Sequence, residues 1–219
     1  KIIGKLVGPD LVIFDIGANF GWYSLVCSKM FSDMQIYAFE PIPATFNYLK
    51  KNIILNNCES IKIFNHGLSN ETGLIDFYFY PELSGNASLT NVSGRKDVQI
   101  IPCAVKKLDE FVEENNVHPD FIKCDVEGAE FLVFQGGYET IKKYKPIIFS
   151  EMLRKWAAKF NYHPNQIINF LKDLGYRCFI PHNGQLKEFF EMDENTVETN
   201  FFFLHKEKHH GQLQKLLPL

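Results

Sequence analysis

With 219 residues, 46% of them hydrophobic, the chain holds enough apolar material for one large core and needs no second domain. Its net charge of −3 arises from 23 basic and 26 acidic residues mixed along the chain, which excludes a basic stripe for nucleic acid and a polybasic patch for anionic lipid. No apolar run is long enough to span a bilayer, since even residues 11–31 contain Asp15, two glycines and Lys29.

The chain is organised around residues 11–24. Residues 11–14 (Leu-Val-Ile-Phe) are too few for a helix and read as a strand buried on both faces that ends at Asp15. Gly17 and Gly21 give a tight turn in which the backbone can approach a ligand, and Trp22, Leu25, Val26 and Met30 resume with helical spacing. Strand, glycine turn and helix open a nucleotide-binding βαβ unit. A dinucleotide site wants three glycines and a helix N-terminus open to pyrophosphate; here the third glycine is missing and Asp15 repels phosphate. A carboxylate at that strand end suits a cation instead, such as S-adenosylmethionine, whose ammonium stands beside a sulfonium. Asn19 and the turn amides are placed to hold its carboxylate. A second apolar strand, residues 36–39, ends in Glu40-Pro41 about twenty residues past the turn, where an acid can accept both ribose hydroxyls.

Further along, Pro41 and Pro43 mark a helix start, with Phe46, Leu49, Ile53 and Ile54 on its apolar side up to Asn56-Asn57. Residues 60–65 form a third strand that delivers Gly67 and Leu68 to the same edge, either to cover an adenine ring or as an ordinary surface turn. Residues 74–80 and 98–104 read as an antiparallel pair. The connection between them, 81–97, is long for a hairpin; it reads as a lid offering Asn86, Ser88 and Arg95, or equally as a loose tip.

In the strand around residues 120–124, alternation puts Lys123, Asp125 and, if the extended backbone continues, Glu127 on one side. Buried, these charges must pair or serve chemistry; a salt-bridged strand terminus is the plainer alternative. Gly128 lets the chain turn into a short helix over 129–136, and residues 146–151 give one more apolar strand ending in an acid, Glu151. Open α/β sheets bind ligands at the carboxyl ends of their strands, where this chain sets Asp15, Glu40, Asp125, Glu127 and Glu151. The remainder reads as scaffold: an amphipathic helix over 164–174, closing strands at 176–180 and 200–205, and a solvated tail that includes His205, His209 and His210. Five cysteines in no Cys-x-x-Cys pair read as reduced core residues of a cytoplasmic protein, and the sequons at Asn70, Asn86 and Asn91 as chance matches.

The Asp-Ile-Gly-Ala-Asn-Phe-Gly turn (15–21), Phe39-Glu40-Pro41, Gly67-Leu68-Ser69, Ser88-Leu89, the Asp-Val-Glu-Gly-Ala-Glu segment (125–130) and Glu151 together resemble the FkbM-type S-adenosylmethionine-dependent methyltransferases. The resemblance spans roughly residues 11–151. It implies one α/β domain over 1–219 (core 9–205, tail 206–219) of the Rossmann-like class I methyltransferase fold. The sheet would have about seven strands, mostly parallel with the last antiparallel, flanked by helices and carrying an inserted β-hairpin and long loop. The expected cofactor is S-adenosylmethionine, leaving as S-adenosylhomocysteine, held by Asp15, Gly17, Ala18, Asn19, Gly21, Ser24, Glu40, Pro41, Gly67, Leu68 and Asp125. The expected acceptor is a hydroxyl on a sugar, glycan or secondary metabolite, with neither nucleic acid nor a membrane span involved. Asp125, Glu127 and Glu151 are the candidate catalytic acids, with Lys123 keeping them ionised or orienting the acceptor. No metal ligands are assigned, although a divalent cation bridging two of these acids is compatible with the set. Two other readings stand beside this one. A nicotinamide-dependent oxidoreductase is opposed by Asp15 and the missing glycine; a non-catalytic methyltransferase-like binding module is opposed by the intact Glu40, Asp125 and Glu127.

Overall fold

In the computed structural model, residues 2–31, 33–79, 87–89 and 98–217 are described, Ala87 and Ser88 by backbone alone. After α1 (Ile3–Leu6) comes β1 (Val12–Ile16), then the glycine turn and α2 (Trp22–Met30). β2 (Gln35–Phe39), α3 (Pro43–Leu55), which starts on a proline, and β3 (Ile61–Phe64) complete the first winding. Four strands then interrupt the alternation: β4 (Gly67–Ser69), β5 (Gly73–Phe79), β6 (Ala87–Ser88) and β7 (Gln99–Lys107). It resumes with α4 (Leu108–Asn115), β8 (Phe121–Cys124), α5 (Glu130–Gly136), α6 (Tyr138–Tyr144) and β9 (Ile147–Glu151). Next, α7 (Arg154–Ala157) runs into a 3₁₀ turn (Ala158–Phe160). Last come α8 (Pro164–Asp173), β10 (Tyr176–His182), β11 (Gln185–Glu188), β12 (Asn200–His205) and α9 (His210–Leu216).

Among the described residues the main sheet has eight strands in the order β11-β10-β12-β9-β8-β1-β2-β3. Its five strands from β9 to β3 are parallel, and β12, β10 and β11 join antiparallel. The extra strand beyond the expected seven is β11, whose Gln-Leu-Lys-Glu run has a single apolar residue, the buried Leu186, too little to show a period. The winding proceeds from β1 out to β3 and then crosses back to β8 on the other side of β1. The β1/β8 junction is therefore the switch point at which such sheets open a crevice. The expected hairpin is present as β5 paired antiparallel with β7, inside a second sheet ordered β4-β7-β5-β6. Of the expected lid, only residues 87–89 lie within the described chain; Asn86, Arg95 and the side chain of Ser88 lie outside it.

Strand alternation sorts the core into two layers. Phe14 and Ile16 pack with Phe111 of α4, Val133 of α5 and Ile167 of α8, whereas Ile13 packs with Leu6, Cys27, Leu49 and Leu213 of α1, α2, α3 and α9. A satellite cluster of Ile42, Phe77, Phe79, Cys103 and Val105 joins the second sheet to the end of β2. All five cysteines are free and buried.

Three expectations are corrected here. Trp22, Val26 and Met30 of α2 are exposed, and the helix instead buries Ser24 and Cys27 on the sheet. The strand before the acidic turn stops at Cys124, so Glu127 is not carried to its place by extended backbone. The tail is solvated only in part: His210 and residues 206–208 are exposed, but His205 and His209 are buried, the His205 amide donates to His209 Nδ1 (2.9 Å), and Leu213 and Leu216 of α9 enter the second core layer. Its Lys-rich stretch hides two leucines spaced for a helix face.

Candidate active site

A cleft of about 860 Å³, counted to its open mouth, lies at the switch point.

Its floor is an ion pair between neighbouring strands. Asp15 and Lys123 are register partners on β1 and β8, and Lys123 Nζ stands 3.1 Å from Asp15 Oδ1 and 3.9 Å from Asp125 Oδ2. The same ammonium donates to the carbonyls of Ile16 (3.2 Å) and Gly17 (2.5 Å). Burial lowers the Lys123 pKa, but the Asp15 and Asp125 carboxylates outweigh it and hold the group above its ordinary value. The other Asp15 oxygen accepts from the Ser24 amide (3.1 Å) and hydroxyl (2.6 Å). Asp15 is thus 1% exposed, beneath the floor, with its charge already matched. It does not face the cleft as the strand pattern suggested; Ser24 is its anchor on α2.

Above the floor the glycine turn brings bare backbone to the opening. A Cβ on Gly17 would lie 2.0 Å from the Asp125 carbonyl oxygen, so only glycine lets the two loops at the switch point touch. Ala18 and Asn19 line the cleft beside it. Gly21, at φ +88°, turns the chain into α2 and could take no Cβ without striking Leu49 at 2.6 Å.

The wall on the β2 side is wired to backbone. Glu40 Oε2 accepts from the Asn19 amide and Oε1 from the Ile42 amide, both at 3.0 Å, while Asn65 Nδ2 clamps the Glu40 and Pro41 carbonyls at 2.9 and 3.0 Å. Burial pushes Glu40 up to about 7 against the pull of the two amides. Beside it, Pro41, Thr45, Phe77 and Phe79 complete the wall. Gly67 and Leu68 stand behind it rather than on it: Gly67 backs onto Phe77, Val105 and Pro41, and Leu68 is buried in the first core layer.

The wall on the β8 side carries Asp125, Val126 and Glu127. Glu127 sits at φ +56°, and Gly128, at φ +102°, packs so closely on Trp156 and Phe160 that a Cβ would fall 2.9 Å from each. Glu130 ties this turn: its Oε1 accepts from the Val126 (3.0 Å) and Gly128 (3.1 Å) amides, and the Tyr162 hydroxyl donates to the Gly128 carbonyl at 2.8 Å. Glu151, at the end of β9, has Asp125 and Thr199 as polar neighbours. Burial, then the neighbouring acids Asp125 and Glu151, push Glu127 up to about 8. Burial and the charge of Asp125 push Glu151 up to about 7.

Sequence reasoning missed several members of this set. Tyr23 lines the cleft with its ring 5.4 Å from Lys123 Nζ and 5.6 Å from the Phe149 ring, and burial raises its pKa. Phe77 and Phe79 belong to a strand read only as part of a hairpin, and Tyr162 carries no signal at all. Glu130 was readable as an acid in the first turn of a helix, where free amides seek a carboxylate. Among the described residues no group of three His, Cys, Asp or Glu is disposed to hold a metal ion. Nor is any helix there long and apolar enough to cross a membrane.

The chain matches the family model of the methyltransferase FkbM domain over residues 15–178. It is similar to Methyltransferase 1 of Beauveria bassiana, 34% identical over 146 residues that cover 58% of each chain. It is also similar to the hexuronic acid methyltransferase AglP of Haloferax volcanii, 32% identical over 140 residues, 64% of this chain and 55% of that one. The chain therefore spans somewhat more than half the length of these curated relatives. A crystal structure of methyltransferase FkbM from Methylobacillus flagellatus shares the fold with a TM-score of 0.55 at 16% identity, covering 89% of this chain and 43% of the other. From the glycine turn at the switch point to the acidic turn after β8, the matched stretch takes in every wall of the cleft, and the chain belongs to the FkbM methyltransferase family.

Proposed function

We propose that this chain transfers a methyl group from S-adenosylmethionine to a hydroxyl of a sugar, glycan or secondary metabolite. The observation that carries the reading is the pairing, across one cleft, of a backbone-wired acid, Glu40, with an acid of strongly raised pKa, Glu127. The residues fit the cofactor. Gly17 leaves a cradle that a Cβ would fill, the lining offers carboxylates to a cation, and its one described cation, Lys123, is committed to the floor. The backbone of 17–21 and Asn19 would hold the amino-acid end, Glu40 the ribose, and Phe77 with Phe79 the adenine. Asp15, Ser24, Gly67 and Leu68 would act at one remove, by fixing the turn and backing the wall. When bound, the cofactor supplies an electrophilic methyl on a sulfonium.

The protein's own work is then orientation and proton removal. An alcohol is a poor nucleophile until its proton leaves. Glu127 lines the cleft, and its raised pKa suits it to take that proton near neutral pH. Asp125 stands at the opening between Lys123 and Glu151. Glu151 neighbours Asp125 at the end of β9, which suits it to a positioning role. The hexuronic acid methyltransferase among the relatives supports a sugar acceptor, and five free, buried thiols support a reducing cytoplasmic setting.

Calorimetry with S-adenosylmethionine, S-adenosylhomocysteine and NAD tests the cofactor. Binding of the first two alone is expected, and binding of NAD alone would overturn the reading. Release of S-adenosylhomocysteine in the presence of a panel of glycosides then tests the reaction.

A further inference from the structure

Trp22 opens α2 at the border of the cleft and is 73% exposed. Phe20, also on the lining, meets the 56% exposed Tyr48 edge-to-face at 6.0 Å, so the mouth carries a shelf of aromatic rings. The acids Asp125 and Glu127 belong to the same lining. Among the described lining residues the sole cation is Lys123, 4% exposed and already bound to Asp15 and two carbonyls. A flat apolar ring beside hydrogen-bond acceptors matches a pyranose, which has an apolar C–H face and an edge of hydroxyl donors. Among the described lining residues an acceptor with its own carboxylate would meet no cation other than the committed Lys123 and would face the acid Asp125.

Building on the methyl-transfer reading, we propose that the acceptor is an uncharged hexopyranose whose ring lies on Trp22 with a hydroxyl turned to Glu127, and that the site discriminates against hexuronic acids. The test offers the full chain S-adenosylmethionine with methyl gluco-, galacto-, manno- and rhamnopyranosides and the corresponding hexuronides, following release of S-adenosylhomocysteine. The best neutral glycoside is expected to exceed its hexuronide at least about tenfold in kcat/KM. Trp22→Ala is expected to raise the glycoside KM about tenfold and Trp22→Phe to recover most of that. Both variants should keep S-adenosylhomocysteine affinity within about twofold, which also reports that they fold. The glycoside should quench tryptophan emission in the unaltered chain but not in Trp22→Phe, which keeps Trp156. A preference for hexuronides, an unchanged glycoside KM in Trp22→Ala, or a loss of S-adenosylhomocysteine affinity in that variant would each overturn the proposal. If the unaltered chain binds neither form of the cofactor, the methyl-transfer reading fails. If it binds both yet neither methylates nor is quenched by any hexopyranoside, this proposal alone falls.

Discussion

The two walls of the cleft use carboxylates in opposite ways. On the β2 side each carboxylate oxygen of Glu40 accepts from a backbone amide, and Asn65 pins the carbonyls of Glu40 itself and of Pro41, so the acid is fixed at both its head and its backbone. On the β8 side burial and then the neighbouring acids raise the affinity of Glu127 and Glu151 for protons, and the cation of the lining, Lys123, lies in the floor. The first arrangement suits holding a ligand in one pose. The second stores a proton-accepting capacity that becomes available close to neutral pH.

That contrast breaks most sharply at Glu127. Glu127→Gln should lower turnover about 10²- to 10⁴-fold while S-adenosylhomocysteine affinity by calorimetry stays nearly unchanged; a parallel fall in affinity would erase the distinction between the walls. Beneath both walls, Asp15→Asn takes from the buried Lys123 ammonium its nearest carboxylate and leaves it Asp125 and two carbonyls. The variant should lose about 3–5 kcal/mol of stability in denaturant melts, partly recovered by adding Lys123→Met. The mirror image of the first test is Glu40→Gln, which puts an amide group against a backbone N–H and should weaken S-adenosylhomocysteine about 10- to 100-fold while saturated turnover survives.

Titration sharpens the contrast further. With Glu127 raised to about 8, its base form is lost as pH falls, so kcat/KM should climb with pH up to about 8 and level off. The residual activity of Glu127→Gln should lack that limb. The smallest effect lies outside the cleft. Burial, then Lys208 and His205, hold His209 at about 4 against a usual 6.5, so the unfolded chain binds the extra proton. Stability should therefore decline as pH drops from 6.5 toward 4, by a few degrees in melting temperature, and His209→Asn should flatten that slope.

How far the sequence could be read depended on the range of the interaction. Carboxylates at strand ends follow from short apolar runs with period-two alternation, a local signal, and so Glu40, Asp125 and Glu151 were found at the correct edge. The committed state of Asp15 was hidden because it depends on β8 lying beside β1 in a register that sets Lys123 opposite, with 107 residues between the two strands' contacting groups. Phe77 and Phe79 became a wall only through docking of the second sheet on Ile42. On α2, apolar spacing pointed to the wrong face, because Ser24 is drawn inward by Asp15 and Trp22 is left at the mouth. His209 was misjudged for a related reason: a backbone amide one helical turn away satisfies it, and composition does not record that.

Lys123 does more than balance charge, because its ammonium reaches sideways to the carbonyls that end β1. It behaves as a rivet through two adjacent strands, seated at the spot from which both loops of the cleft depart. Sliding β8 by one residue against β1 would withdraw the rivet and set Ile122 or Cys124, according to the direction, opposite Asp15. Mistakes in strand pairing and loss of the reaction centre are thus a single event in this molecule, and a misregistered fold would have no residual site to offer.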